Sequence, residues 1–326
     1  AAVAVAAPLL WTESTEPIGT ESEVAAEQFR LGSGHLRRME VEEARSSLEK
    51  SIEADPAFAM AHFELGHALL WLNERAKGRE EILLADSLAH APGATTELER
   101  LVIGIAAGPL QDDQAKAEDY YERLERDYAD HPLSLRAQAQ RAMADGDQVR
   151  ARRLYLAVLD ADPSRVEVHN TLGYMALEEG LYEEAVASFK RYVYFADGSA
   201  NPHDSLGEAF LWTGRYHESI EHFRIALEID PSFLSSVLGA TDALAVTGQF
   251  TLARKFLSSF EELFERRGER GMREVRSLQV DYMAEAWTDV AARSERLRAD
   301  KEAFTEMEPG LRLWVNSLGA IGLAEL

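Results

Sequence analysis

The hydrophobic pattern of the chain is helical from end to end. Apolar residues recur three and four apart with polar residues between them, and no stretch shows the strict alternation of a half-buried strand. The helical segments are punctuated at regular intervals. Gly146, Gly180, Gly214 and Gly248 stand 34 residues apart, three times running. Ala151, Ala185, Ser219 and Ala253 keep that step, as do Tyr182, Tyr216 and Phe250, and Tyr155, Phe189, Phe223 and Leu257. Leu172-Gly173 recurs as Leu206-Gly207, and Asp162-Pro163 returns two periods later as Asp230-Pro231. Upstream, Leu31-Gly32 recurs as Leu65-Gly66, with Ala44, Leu48 and Asp55-Pro56 in the corresponding places. From Leu65 to Leu172 is 107 residues, three periods plus five. One unit therefore carries an insertion of five, predicted at the loop-like Ala91-Pro92-Gly93-Ala94.

Each period accommodates two helices and two turns. The spaced glycines end the first helix, because glycine enters the left-handed conformation without a Cβ penalty. The small Ala or Ser on the second helix permits close approach, and the aromatic residue four positions later fills the space between the two helices. Asp-Pro closes the second helix, since proline cannot continue it. These columns resemble the tetratricopeptide repeat family. The match is good over 25–58, 166–199 and 200–233 and fair over 59–92, 132–165 and 234–267. It departs over 93–131, while Gly78 replaces the usual small Ala and Asp197 the usual Pro. The resemblance implies an all-α, right-handed superhelical solenoid of tandem helix-turn-helix repeats with an atypical C-terminal cap. The expected organisation is an extended apolar N-terminal segment over 1–22, repeats over 23–267 with an irregular unit at 93–131, and capping helices over 268–326.

The resemblance also implies binding through a concave face lined by the first helix of each unit. In the early units that face carries Phe29, Leu36, Phe58, Met60, Phe63, His67, Leu70 and Trp71, an apolar surface with bulky anchors. In the later units it carries Asn170, Tyr174, Asp204, Glu208 and Trp212, a polar and acidic surface with two aromatic rings. Family members that capture the C-terminal carboxylate of chaperones carry Lys, Arg and Asn there, so acidic residues disfavour that partner class. The expected occupant is a protein or peptide segment. The alternative is an apolar, lipid-like small molecule in the apolar part of the groove, and mutual burial of the anchors stands against both.

Composition narrows the chemistry. The chain has 326 residues, a net charge of −23 and no cysteine. The charge argues against nucleic acid, whose phosphates require a basic face. The missing thiols remove disulfides, thiolate metal sites and cysteine nucleophiles. His217 and His222 imitate a zinc-protease helix but stand five apart, where one helical face requires four, and His62 and His67 fail in the same way. Both pairs read as solvated helix histidines. Gly32-Ser33-Gly34 lacks the preceding strand and following Lys of a phosphate loop. Arg266, Arg267, Arg270, Arg273 and Arg276 interleave with acids as a salt-laced surface, or as a patch for an acidic partner. No catalytic residue, metal or cofactor is expected, and the reading is a non-enzymatic scaffold or adaptor. The opening Ala/Val run, Ala1 to Trp11, is too short to span a bilayer. It suggests an extracytoplasmic origin, periplasmic or tethered by an anchor upstream, with a cytoplasmic one left open.

Overall fold

The computed structural model describes residues 19–37, 40–72, 74–300, 311–312 and 315–318. Most of the expected N-terminal segment and part of the expected cap over 268–326 lie outside them. Among the described residues there is no strand. The helices are α1 (Glu23–Arg37), α2 (Val41–Ala54), α3 (Ala59–Trp71), α4 (Arg75–Leu88), α5 (Glu97–Ala107), α6 (Gln114–Asp127), α7 (Pro132–Ala144), α8 (Gln148–Ala161) and α9 (Val166–Glu178). They continue as α10 (Tyr182–Phe195), α11 (Ala200–Trp212), α12 (Tyr216–Ile229), α13 (Leu234–Val246), α14 (Phe250–Ser259), α15 (Glu261–Arg266), α16 (Arg270–Met283) and α17 (Trp287–Ala299), with a 3-10 turn at Gly108–Gln111 after α5.

The second helices from α2 to α14 begin at 41, 75, 114, 148, 182, 216 and 250. Every step is 34 except that from 75 to 114, which is 39. Four of the five extra residues fall where the sequence places them, since α4 ends at Leu88 and α5 begins only at Glu97, and the fifth falls between the starts of α5 and α6, where the 3-10 turn lies. Within the intervening loop Gly93 is left-handed at φ 79°. Thr96 closes the loop with a reciprocal capping box to Glu99, which satisfies two otherwise orphaned N–H groups at the start of α5.

Two kinds of glycine shape the repeat. Gly146, Gly180, Gly214 and Gly248 have φ between 73° and 78° and reverse the chain between paired helices. The glycine of Leu-Gly has a different task inside the first helix. A Cβ on Gly173 would lie 2.5 Å from the ring of Phe189, and one on Gly207 would lie 3.0 Å from Phe223. Those rings are fully buried, so the missing side chain creates the slot that receives the second helix's aromatic.

The chain divides into two compact units, one ending at Pro163 and the other starting at Ser164. In the first, helices pair in order, α1 with α2, α3 with α4, α5 with α6 and α7 with α8, and α1, α3, α5 and α7 touch in succession. Its main core gathers Phe58, Phe63, Leu101, Ile103 and Leu124, with Phe29 packed against it. Asp86, nearly inaccessible, is held by Lys116 at 2.8 Å and by Gln111 at 3.0 Å, which fastens α4 to the irregular pair. In the second unit α9 pairs with α10, α11 with α12, α13 with α14 and α16 with α17, and α9, α11, α13 and α16 touch in succession. Phe189, Tyr192, Phe210, Phe223 and Phe264 fill its interior.

Candidate functional site

The early apolar residues are largely interior. Phe58 is wholly inaccessible, and Met60, Phe63 and Leu36 are buried as well. Phe29 is half-buried and packs on Phe58 with ring centroids 4.8 Å apart. Residues 19–22 supply part of the cover: Gly19 lies against Ala94 and the Phe58 ring, and Thr20 donates its hydroxyl hydrogen bond to Asp55. His67 is half-buried, donates from Nδ1 to the Phe63 carbonyl at 3.0 Å, and meets the Phe63 ring edge-on. Desolvation lowers its pKa, against the Phe63 hydrogen bond and with the repulsion of Arg136. Leu70 is half-buried, and of the early set only Trp71 stands exposed, at 47%. The anchors therefore fill one another's space, and Trp71 is the early aromatic that reaches solvent.

The later units build a polar row across successive first helices. Tyr174 on α9 donates to Glu208 on α11 at 3.1 Å and lies 3.2 Å from Ser205 Oγ. Ser205 in turn donates to Asn170 at 3.3 Å. Asp204 is buried and accepts from Ser236 of α13 at 2.6 Å. The row continues beyond the residues singled out from sequence, since Arg276 of α16 donates to Asp242 of α13 at 2.6 Å. Tyr174, Glu208, Asp242 and Arg276 form one column at the 34-residue step. Extending the repeat register past Glu208 would have found the last two.

The electrostatics of the row are those of carboxylates and phenols withdrawn from water. Burial raises the Asp204 pKa, with Glu208 adding to the rise and the Ser236 and Ser235 hydroxyls opposing it. Burial also raises Asp242, against the pull of Arg276. Tyr174 is pushed well above the ordinary phenol range by burial, and Tyr192, which accepts from Asn201 at 2.8 Å, is pushed up to about 12. Glu167 Oε2 is shielded from solvent without a hydrogen-bond partner, while its Oε1 lies 3.5 Å from Arg165. Asp204 is thus a positioning residue held by α13, while Asn170, Tyr174 and Glu208 remain half-exposed. Trp212 stands apart from the row at the end of α11, 62% exposed.

The histidines correct the sequence reading. His62 is buried, bonded to Glu81 at 2.6 Å and to the Pro56 carbonyl at 3.1 Å. His222 is half-buried and pairs with His203, their Nδ1 atoms 3.1 Å apart and their rings stacked. One ring must donate and the other accept, so both cannot be protonated while the pair holds. Desolvation lowers both pKa values, and the neighbouring His203 helps bring His222 down to about 4. His62, His169 and His203 occupy one repeat column, allowing for the insertion, and all three are buried. Only His217 of the supposed zinc pair is exposed. The arginine cluster is likewise partly structural. Arg273 pairs with Glu274 at 2.8 Å and Glu261 at 2.9 Å, while buried Asp281 is gripped by Arg254 at 2.7 Å and Arg293 at 2.9 Å.

Two surface depressions are open to solvent: one of about 490 Å³ beside Trp212, Leu181 and Tyr182, and one of about 550 Å³ among Arg45, Lys77 and Glu80. No described helix is long and apolar enough to cross a membrane.

A tetratricopeptide repeat family model matches residues 136–202. No curated protein matches the chain. Among solved structures, yeast Tom70 is similar with 12% identity and a TM-score of 0.50, over 94% of this chain and 65% of that one. Cut9 of the APC/C Cut9–Hcn1 hetero-tetramer is similar with 19% identity and a TM-score of 0.46, over 70% of this chain and 44% of that one. MamA from Desulfovibrio magneticus RS-1 is similar with 18% identity and a TM-score of 0.47, over 52% of this chain and 97% of that one. The chain thus spans less than half of the Cut9 chain and about two thirds of Tom70. The matched segment 136–202, the 34-residue step broken once and the successive packed helix pairs give the chain a tetratricopeptide-like helical-repeat fold, a fold typical of protein-interaction scaffolds.

Proposed function

We propose that the chain is a non-enzymatic interaction scaffold that holds an extended polypeptide segment along the first-helix row of its second unit. Asn170, Tyr174 and Glu208 make direct contact in this reading, and Asp204, bonded to Ser236 of α13, fixes the position of α11. The observation that supports it most is the Tyr174–Glu208 bond matched two helix pairs further on by Asp242–Arg276. A segment crossing α9, α11, α13 and α16 meets a pre-oriented polar group at each step, and an extended peptide offers main-chain donors and acceptors at its own regular interval. Pre-orientation lowers the entropy lost on binding. The shielded Glu167 Oε2 adds an acceptor awaiting a donor at the start of the row. The acidic character sets the partner's chemistry, favouring Lys, Arg or amide donors over a free carboxylate.

Panning a displayed random-peptide library on the intact chain tests this reading. Enriched clones are expected to carry basic or amide side chains and to lose at least about tenfold in affinity against Tyr174→Phe and Glu208→Gln. Enriched clones that bind both variants unchanged would place the contact elsewhere and overturn it.

A further inference from the structure

We infer that the facing Nδ1 atoms of His203 and His222 form a binding site for a single soft monovalent cation, copper(I) or its redox-stable analogue silver(I), held between the two nitrogens in place of the proton they share. The site does not depend on the first-helix row. His203 lies on α11 and His222 on α12, the two helices of one packed pair. Their Nδ1 atoms are 3.1 Å apart, their ring centroids 5.3 Å apart and their ring planes 24° from parallel. The difference between the two distances is the length that two ring radii occupy. Both nitrogens therefore lie near the line between the ring centres and meet head-on, as the ligands of a linear two-coordinate ion do. The other side of His203 is already fixed, because its ring bonds to the backbone of Asp197, six residues upstream. His62, in the same repeat column, bonds through Nε2 to the carbonyl of Pro56, also six upstream. The same contact at His203 leaves its Nδ1 with a lone pair toward His222. A metal-ligating histidine donates its other ring N–H in this way.

The surroundings select the class of ion. Among the described residues no group of three or more ligating side chains is gathered for a metal. Zinc and calcium, which take four or more ligands, find at most half a shell here. Glu218 and Glu221, the acids that act on His222, are bonded to Arg215 and Arg224. Lys190 acts on His222 with the opposite sign, and the Phe210 ring lies beside it at 5.4 Å. A nearby ammonium, carboxylates committed to arginines and an aromatic wall suit a weakly hydrated single charge. Imidazole is a ligand that copper accepts, whereas hard ions require oxygen. His203 is buried and His222 half-buried, so the ion enters from the His222 side. At a metal–nitrogen distance of about 2 Å, linear binding parts the nitrogens to about 4 Å, a movement that rotation of the two side chains supplies. Binding moves the His222 proton from Nδ1 to Nε2 through solvent. No electron is transferred, no other bond breaks, and the site gains one positive charge.

The test uses the full chain with isotopically labelled histidine nitrogens, titrated with silver nitrate in chloride-free buffer. The chain has nine histidines, and the resonances missing from His203→Gln and His222→Gln identify the pair. One equivalent of silver is expected to shift both Nδ1 resonances and to move His222 to the Nε2–H tautomer. Exposed His217 on the same helix should not move. Copper(I) supplied from a coloured chelator under argon should transfer to the chain, and its X-ray absorption should show two nitrogen neighbours. His222→Gln should weaken binding by more than the roughly 10–100-fold that losing an outer-shell partner costs, and His217→Gln should leave it unchanged. A cooperative melt by circular dichroism confirms that the His222 variant folds. Silver that moves neither Nδ1 resonance up to about 0.1 mM would overturn the proposal. So would binding as tight in His222→Gln as in the parent, or more than two nitrogen neighbours around the copper.

Discussion

Alanine at three glycines should move the stability of the fold in three ways, for reasons the geometry separates. Gly173 lies inside α9, where alanine would ordinarily stabilise a helix by about 1 kcal/mol. Here its Cβ would stand 2.5 Å from Phe189 Cε1 and 2.6 Å from Cζ. Phe189 has no room to withdraw, being wholly buried with its ring edge-on to Tyr174 at 5.1 Å. Overpacking of a tight core costs roughly 1–3 kcal/mol, and since this contact is near the severe end, Gly173→Ala should lose about 1–2 kcal/mol net. Gly180 has nothing within 4 Å but a φ of 73°. Gly180→Ala should lose about 1 kcal/mol through backbone strain alone, and the β-branched Gly180→Val more, within roughly 1–3 kcal/mol. Gly198 has neither a close neighbour nor a left-handed φ, so Gly198→Ala should be neutral or gain up to about 1 kcal/mol by restricting the unfolded chain. Thermal melts followed by circular dichroism at fixed pH and salt give the order directly. If Gly173→Ala melts at or above the parent temperature, the slot for Phe189 does not set the helix packing. If Gly180→Val is unchanged, the assignment of the turn glycines fails.

Three further outcomes follow from the side-chain network. His203 and His222 have folded pKa values below that of a free histidine, so the unfolded chain binds more protons between pH 6.5 and about 4. Their contribution is fully present above pH 6.5 and lost as pH falls through that window. The His222 displacement has an upper bound near 3 kcal/mol, which partial solvent access reduces to about 1–2 kcal/mol. His222→Gln should flatten the melting temperature against pH over that range, and an unaltered slope would contradict the pairing. Asp281→Ala should cost about 3 kcal/mol by leaving Arg254 and Arg293 without their shared carboxylate, measured as a lowered denaturation midpoint. Tyr174→Phe should cost about 1 kcal/mol in stability, because Glu208 loses a donor but keeps access to water, and a loss near zero would mean that the α9–α11 bond is not formed in solution.

Much of the fold is legible in the residues because a repeat states the same packing rule several times. The left-handed glycines, the small residues and the buried aromatics recur at one step, and the insertion shows as the one broken interval. The site was less legible, for two physical reasons. Whether Phe58, Met60 and Phe63 face a groove or a core depends on what covers them, and that cover comes from α1, α5 and residues 19–22 rather than from their own helix. Along one helix His217 and His222 lack the metal-site spacing, while the histidine contact runs between helices. His62–Glu81 and His203–His222 are both 19 residues apart, the offset of facing positions within a helix pair. The same register, carried from Tyr174 and Glu208, leads to Asp242 and Arg276, so the signal lay in the period rather than in any local motif.

The most direct test of the interaction face is site-specific photo-crosslinking. A photoreactive residue is placed at half-buried position 211 on α11, one turn along from Glu208, or at exposed Glu221 on α12 as the control. Each is exposed to a peptide enriched against the intact chain and illuminated. The account predicts a peptide adduct from position 211 that Tyr174→Phe diminishes, and none from position 221. Adducts from 221 as strong as those from 211, or adducts from 221 alone, would contradict it.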